Sequence, residues 1–432
     1  MSAIAPARAC AFDVLRRVFE QGAYADRAFA GRAGALDPRD RALAMQLSYG
    51  AVQRRATLDH VTEQLTGRPA AKLDPPVVAA LRLGLFQLLY LDGVADYAAV
   101  GESVELAKQA RSGPGYKLVN AVLRRATREG RALVDALDDA TPEAAAVKHS
   151  VPVWLAELWF GELGVDHARS LLARINEPPE SALRANTLVT TADEVALMLP
   201  VGCKPAGEQL PEGLVLDGPF DAAGSELWAA GAIFPQSRAS MTVARMVAPA
   251  PGSSVLDLCA APGGKTTHLA ALVGAAGSVV AVERHEGRAE ALHETCVRMR
   301  ASNVTVETGD ASARRDPEGA FDAVLADPPC SGLGTLQSRP DLRWRASPAK
   351  IEELAVLQTE ILRAAAASTR PGGALVYSVC TISRAETDDV IDAFLAGASE
   401  FSEERRTRMF PDRDGTDGFF ISRLVRTTNR QH

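Results

Sequence analysis

Five short apolar or β-branched runs downstream of Ser254 constrain the fold more than any other feature of this chain. They cover residues 255–258, 279–282, 304–307, 321–325 and 374–378. Helical stretches at 266–273, 287–299 and 350–369 follow most of them. Short strands alternating with helices predict a doubly wound α/β sheet with mainly parallel strands. Such sheets bind ligands beyond the carboxyl ends of their strands, so the residues just after each run are where function is expected.

The 432 residues exceed what one hydrophobic core supports, and the remaining chain reads as two further domains. Residues 1–140 carry apolar stripes at helical spacing, for example Leu43, Leu47, Val52, Leu58 and Val61, then Val78, Leu81, Leu85, Leu88 and Leu89. Asp37-Pro38 reads as a helix start, and Ser112-Gly113-Pro114-Gly115 as a breaker ahead of a helix over 117–129. This part is expected to be an all-α bundle. Residues 151–240 mix one apolar helix around Trp154–Phe160 with strands at 181–188 and 213–216 and a helix at 191–199, a small α+β linker domain. Residues 241–432 form the Rossmann-like part.

Composition excludes several classes. No run approaches the ~20 apolar residues of a membrane span, and residues 1–15 meet Arg8 and Asp13 without the apolar centre of a secretory signal. Six cysteines (Cys10, Cys203, Cys259, Cys296, Cys330 and Cys380) lie far apart with no Cys-x-x-Cys pair, which argues against a metal site or a disulfide framework. Reduced thiols fit a cytoplasmic protein. With a net charge of −7, any contact with a polyanion must come from local basic patches.

The strand ends carry the chemistry. After the first run comes Asp257-Leu258-Cys259-Ala260-Ala261-Pro262-Gly263-Gly264-Lys265-Thr266. A phosphate-binding P-loop would need Gly where Cys259 stands, and the dinucleotide pattern G-x-G-x-x-G is absent. What remains is an acidic strand end and a small-residue turn, suited to a zwitterionic amino-acid moiety. Glu283 ends the second strand, where a carboxylate accepts from both ribose hydroxyls, and Asp310 follows the third, placed for a nucleobase amino group. Together they describe an adenosine-containing cofactor, S-adenosylmethionine. The fourth strand ends in Asp327-Pro328-Pro329-Cys330, a stiff extended segment, and the fifth in Tyr377-Ser378-Val379-Cys380-Thr381. Two cysteines on adjoining strand ends suit methylation of an unreactive carbon. Cytosine C5 becomes nucleophilic only after a thiolate adds to C6. That route needs a nucleophile (Cys380), an acid near N3/N4 of the base (Asp327) and a group assisting proton loss or release (Cys330). A free cysteine is ordinarily a small buried hydrophobe, so it is the pairing that carries the expectation.

These motifs together resemble the RNA cytosine-5 methyltransferases of the NOL1/NOP2/Sun type. Further matching pieces are Arg339-Pro340-Asp341-Leu342-Arg343-Trp344, Gln358 and Asp417-Gly418-Phe419-Phe420. The helical part resembles a NusB-type RNA-binding domain through Asp40-Arg41-Ala42-Leu43, Tyr49-Gly50, Leu58-Asp59, Leu81-Arg82-Leu83-Gly84 and Asn120-Ala121-Val122-Leu123-Arg124-Arg125. The combination is similar to that of bacterial enzymes acting on small-subunit (16S) ribosomal RNA. The resemblance spans essentially the whole chain, and a monomer without metal is expected. It implies Cys259, Ala260, Ala261, Pro262, Gly263, Gly264, Lys265, Glu283, Asp310 and Asp327 for cofactor and base, with Cys330 and Cys380 for chemistry. Two positions depart from the pattern: Ser237 stands where Asp is usual in Gln-Asp-x-Ala-Ser, and Val189 where Lys often follows Leu-Arg-x-Asn-Thr-Leu. Arg54, Arg55, Lys117, Arg124, Arg125, Arg128 and Arg131 are expected to line a phosphate track, and Arg339, Arg343 and Arg345 to flank the active-site strand end. The competing readings are a non-catalytic NusB-like RNA-binding or transcription factor, a small-molecule methyltransferase, and a cytosine-5 methyltransferase of another RNA.

Overall fold

The computed structural model describes residues 4–110, 113–315 and 317–428. Ser112 of the expected breaker and the first three residues of the chain lie outside that set. The chain divides into two compact units, Met1–Glu177 with Leu336–Arg345, and Pro178–Thr335 with Ala346–His432.

The first unit is helical. Ten α-helices run between Pro6 and Arg174 among its described residues. Asp37 caps the helix Pro38–Gln53 by accepting from the Asp40 N–H at 2.9 Å, with Pro38 in the first turn. The helix Pro75–Tyr90 is apolar on nearly every face and forms the centre of the bundle. Helices approach it closely at two glycines. A Cβ on Gly50 would lie 1.9 Å from the Phe86 ring, and one on Gly84 2.5 Å from Leu123 Cδ1. The helix expected over 117–129 is longer, Gly115–Asp135.

Two assignments made from sequence change here. The apolar helix Val153–Leu163 and the amphipathic helix Val165–Arg174 belong to the helical unit, not to a linker domain starting at 151. Asp139 explains the attachment: it binds His149 at 2.9 Å and Arg169 at 2.7 Å, tying the last helix to its predecessors. The segment Leu336–Arg345 also belongs to this unit, although the α/β part flanks it on both sides in sequence. Arg343 holds it there. Its guanidinium is fully buried and donates to the carbonyls of Ser150 (3.1 Å), Ile175 (3.3 Å) and Leu336 (3.2 Å) and to Asn176 Oδ1 (3.0 Å). Burial lowers its pKa to about 9.

Among its described residues the second unit contains two sheets. The smaller is antiparallel, β1 (Ala182–Ala185), β2 (Cys203–Pro205), β3 (Gly213–Leu216) and β4 (Ile233–Pro235), in the order β2-β3-β1-β4. Between β1 and β2, Thr191 and Glu194 form a reciprocal capping box at the start of the helix Ala192–Met198. Ser237 caps the helix Arg238–Val247 by accepting from Ser240 N–H, so the residue in place of the usual Asp retains a capping oxygen.

The larger sheet has seven strands: β5 (Ser254–Leu258), β6 (Ser278–Glu283), β7 (Val304–Thr308), β8 (Phe321–Ala326), β9 (Thr369–Val379), β10 (Phe401–Met409) and β11 (Phe419–Arg426). Their order is β10-β11-β9-β8-β5-β6-β7. The first five pair in parallel, while β11 joins β9 and β10 antiparallel. From β5 the chain winds outward through β6 and β7, then returns to the other side at β8 and β9. The switch therefore lies between β5 and β8, whose carboxyl ends open into a crevice.

Candidate active site

Leu258 and Ala326 end the two strands at the switch, so Cys259–Lys265 and Asp327 emerge side by side. The turn after β5 is tight. Cys259 adopts a left-handed backbone (φ 65°), and Gly263 N–H closes a bond to Ala260 O at 2.9 Å. Gly263 has φ 104°, a conformation that favours glycine. The glycines were expected to admit a ligand; the atoms crowding them belong to the protein. A Cβ on Gly263 would meet Leu292 Cδ1 at 2.8 Å, and one on Gly264 would meet Phe234 Cε1 at 2.9 Å. Their smallness seats the turn against its neighbours.

Asp257 is buried beneath this turn. Thr266 Oγ1 donates to its Oδ2 at 2.7 Å, while Oδ1 has no partner. Burial pushes its pKa up to about 7, against the Thr266 bond, and nearby Asp327 adds to the rise. Lys265 turns toward β8 and places Nζ 2.7 Å from Asp327 Oδ2. Burial disfavours its charge, but the charge and hydrogen bond of Asp327 outweigh that and raise its pKa. Ser378 Oγ donates to the other Asp327 oxygen at 2.6 Å. Asp327 is thus held from both sides, by the β5 turn and by β9.

Glu283, at the end of β6, is nearly buried and accepts from His285 N–H at 3.0 Å. Arg288 approaches it at 3.3 Å and also donates to Ala261 O at 3.0 Å, linking this strand end to the β5 turn. Asp310 follows β7 and is well exposed; bonds from Ser312 Oγ (2.7 Å) and N–H (2.9 Å) hold its carboxyl below the usual range. Carboxylates at the ends of three successive parallel strands, Glu283, Asp310 and Asp327, form a donor set that fits a ligand with a cationic amino-acid end and a nucleoside at the carboxyl edge of the sheet.

Cys330 Sγ and Cys380 Sγ are 3.2 Å apart, well beyond the ~2.05 Å of a disulfide. None of the six cysteines is bridged. The Cys330 thiol is raised well above its ordinary pKa by its hydrogen bond to Cys380, by burial, and by the charges of Cys380 and Glu386. It therefore stays protonated at neutral pH. Gly334 N–H donates to Cys380 O at 3.0 Å, and Gly418 N–H to Gly334 O at 2.8 Å. A Cβ on Gly334 would lie 1.9 Å from Gly418 O, so the Asp417-Gly418 segment closes directly onto the cysteine loops.

Sequence reasoning missed Glu386. Its carboxylate is fully buried and takes hydrogen bonds from both cysteine loops and from Gln358. The only local signal is an acidic residue just ahead of the helix Asp388–Gly397. The arginine expectations also change. Arg343, fully enclosed by carbonyls, is not presented to a phosphate. Arg54 and Arg55 are half-buried and lie over aromatic rings, Arg54 on Tyr90 (4.7 Å) and Arg55 on Phe19 (5.0 Å) and Trp344 (4.9 Å).

Comparison with known proteins bears on this arrangement. The family profile described as 16S rRNA methyltransferase RsmB/F matches residues 244–425, and that of the NusB family matches residues 5–128. A probable ribosomal RNA small subunit methyltransferase B from Synechocystis sp. is 37% identical over 97% of this chain and 99% of its own. The chain belongs to the RsmB/F methyltransferase family. Ribosomal RNA small subunit methyltransferase B from Thermus thermophilus is 39% identical, over 91% of this chain and 90% of its own. The crystal structure of PH0851 superposes with a TM-score of 0.82 at 27% identity, covering 98% of this chain and 99% of that one. NSun6 from Pyrococcus horikoshii shares the fold over 63% of this chain and 97% of its own, with a TM-score of 0.57 and 22% identity. An RsmB/F protein is an RNA methyltransferase that draws its methyl group from S-adenosylmethionine.

Proposed function

We propose that this RsmB/F protein methylates C5 of a cytosine in small-subunit ribosomal RNA through a covalent bond between Cys380 and C6. The observation that carries the reading is the 3.2 Å approach of two thiols at the ends of adjoining strands, beside a carboxylate held by Lys265 and Ser378. The turn from Cys259 to Gly264, with Glu283 and Asp310, holds the methyl donor. When bound, S-adenosylmethionine supplies an electrophilic methyl group. The Cys380 thiol gives up its proton to solvent and adds to C6 as the thiolate, and the displaced π electrons make C5 nucleophilic. Asp327 serves the N3/N4 edge of the base, with Lys265 and Ser378 fixing its orientation. After C5 is methylated and its proton leaves to solvent, the C6–S bond breaks and the 5,6 double bond returns. Cys330, held protonated, donates to the departing Cys380 sulfur and so assists release, then regains a proton from solvent.

Exposed cations on the helix Gly115–Asp135 support an RNA contact. Lys117, Arg124, Arg128 and Arg131 follow one another at spacings that place them on one face. The protein is read as a cytoplasmic monomer; no helix among the described residues is long and apolar enough to cross a membrane.

The test is transfer of a labelled methyl group to small-subunit ribosomal RNA, with the product mapped by bisulfite sequencing. Wild type should leave 5-methylcytosine at one position, and Cys380→Ala should leave none while binding the methyl donor normally. Full turnover by Cys380→Ala, or a mark on another atom, would sink the reading. A mark found only on a different RNA would move the substrate and leave the chemistry standing.

A further inference from the structure

Glu386 hydrogen-bonds to both of the residues that follow the cysteines. Its Oε1 accepts from the Ser331 N–H at 2.8 Å and from Gln358 Nε2 at 3.0 Å. Its Oε2 accepts from Ser331 Oγ and, at 3.2 Å, from Thr381 Oγ1. Ser331 directly follows Cys330, and Thr381 directly follows Cys380. The two hydroxyls are themselves 2.8 Å apart, so one carboxylate closes a ring that joins the two loops. The Ser331 N–H shares a peptide plane with the Cys330 carbonyl, so fixing that N–H fixes the plane from which the Cys330 side chain departs.

The main chain at 386 is anchored as well. Tyr377 on β9 donates its hydroxyl to the Glu386 carbonyl at 2.7 Å and to Gln358 Oε1 at 3.1 Å. Gln358 in turn donates to Pro329 O at 2.9 Å, one residue before Cys330. A buried carboxylate is costly unless its acceptor sites are filled. Here four donors fill them, and they converge on the two loops that carry the thiols.

We propose that Glu386 is a positioning residue that sets Cys330 against Cys380 and reserves the nucleophile's part for Cys380. This rests on the reading of the two cysteines given above. Geometry supplies the first half: the clamp ties the residue after each sulfur to one anchored carboxylate, and the sulfurs it carries stand 3.2 Å apart. Charge supplies the second. Cys330 faces Cys380, Glu386 and the Tyr377 phenol, with one relieving hydrogen bond from the Gly332 backbone. A carboxylate in that company opposes a second thiolate, so Cys330 remains the proton donor and Cys380 the attacking sulfur.

The experiment uses the full-length protein carrying Glu386→Gln, which keeps the shape and removes the charge. Two readouts are taken beside circular dichroism. Steady-state methyl transfer should lose roughly tenfold to a hundredfold in kcat with KM for RNA and for the methyl donor within about twofold, the signature of an interaction that matters in the transition state. Iodoacetamide labelling of Cys330, followed by peptide mass spectrometry across pH 6–11, should begin at lower pH than in wild type. Glu386→Asp should recover part of kcat. The alkylation readout needs no RNA, so it tests Glu386 even where Cys380→Ala has refuted the covalent reading. Wild-type kcat together with an unchanged Cys330 labelling profile overturns the proposal. Where Glu386→Gln does not fold, Thr381→Val takes its place: a kcat lowered several-fold supports the clamp, and an unchanged kcat overturns it.

Discussion

Asp257→Asn should make the protein's stability less dependent on pH, and the size of the change follows from burial. The Asp257 side chain is fully enclosed, with one oxygen bonded to Thr266 and the other unpartnered. In the unfolded chain its proton leaves near pH 3.8, whereas the folded protein holds it to about pH 7. Between those values the folded state binds more protons than the unfolded state, so wild-type stability falls as pH rises through that window. One proton retained across a single pH unit is worth about 1.4 kcal/mol, and the window is roughly three pH units wide, so the loss by pH 8 is on the order of 4 kcal/mol. Asn retains the acceptor for Thr266 but leaves an N–H where the orphan oxygen was, which costs about 1–2 kcal/mol at any pH. The variant should therefore match or trail wild type at pH 4.5 and exceed it by roughly 2 kcal/mol at pH 8. Urea titrations followed by tryptophan fluorescence at several pH values read the difference, since Trp228 lies in the same unit. A difference that stays flat from pH 4.5 to 8 would show that the buried carboxyl is not held protonated, and would refute this account of Asp257.

Three further outcomes are expected. Cys330→Ala should trap a protein–RNA adduct that survives denaturing electrophoresis, because the proton donor for the departing sulfur is gone; a turnover rate equal to wild type counts against that role. Lys265→Met strands Asp327 with Ser378 as its remaining partner; it should lower stability by about 1–3 kcal/mol, measured by urea midpoint, and kcat at least tenfold. The Lys265 contribution is steady below its unfolded pKa near 10.5 and fades as pH rises through the higher folded value, so the stability loss should be the same at pH 6 and pH 9. Charge reversal of Arg124 and Arg128 should weaken RNA binding and flatten the slope of log Kd against log salt by about one to two, while the same change at Arg343 should instead unfold the helical unit. An unaltered salt slope in the first variant removes that helix face from the RNA contact.

The interior parallel strands β5, β6 and β8 were legible because each is a run of mostly buried residues with few that water would tolerate, and the half-exposed edge strand β7 was legible through its β-branched Val-Thr-Val. The opposite edge was not. β10 reads Phe-Ser-Glu-Glu-Arg-Arg-Thr-Arg-Met, an edge strand whose exposed face and ion pairs leave no apolar alternation to detect. It is held by pairing to β11, a long-range choice that local sequence does not record. Of the candidate site, the acidic strand ends and the two thiols could be placed because topology sends every parallel strand's carboxyl end to the same crevice. Arg343 defeated the same logic. It stands near those strand ends in sequence, yet it is spent on main-chain carbonyls inside the helical unit.

Glu386 and Arg343 fail to announce themselves for one physical reason. A buried charge is tolerable when groups from several segments converge on it, and those groups are scattered along the chain: Gln358, Ser331 and Thr381 for the first, Ser150, Ile175 and Leu336 for the second. Each residue taken alone looks like an ordinary solvated charge. The thiols differ because their reactivity belongs to the residue type, and only its expression depends on neighbours. On the proposed reading that division assigns the work within the site: Cys380 and Cys330 would bring the chemistry, and the order in which they act would depend on Glu386, a carboxylate six residues or more from either sulfur in sequence.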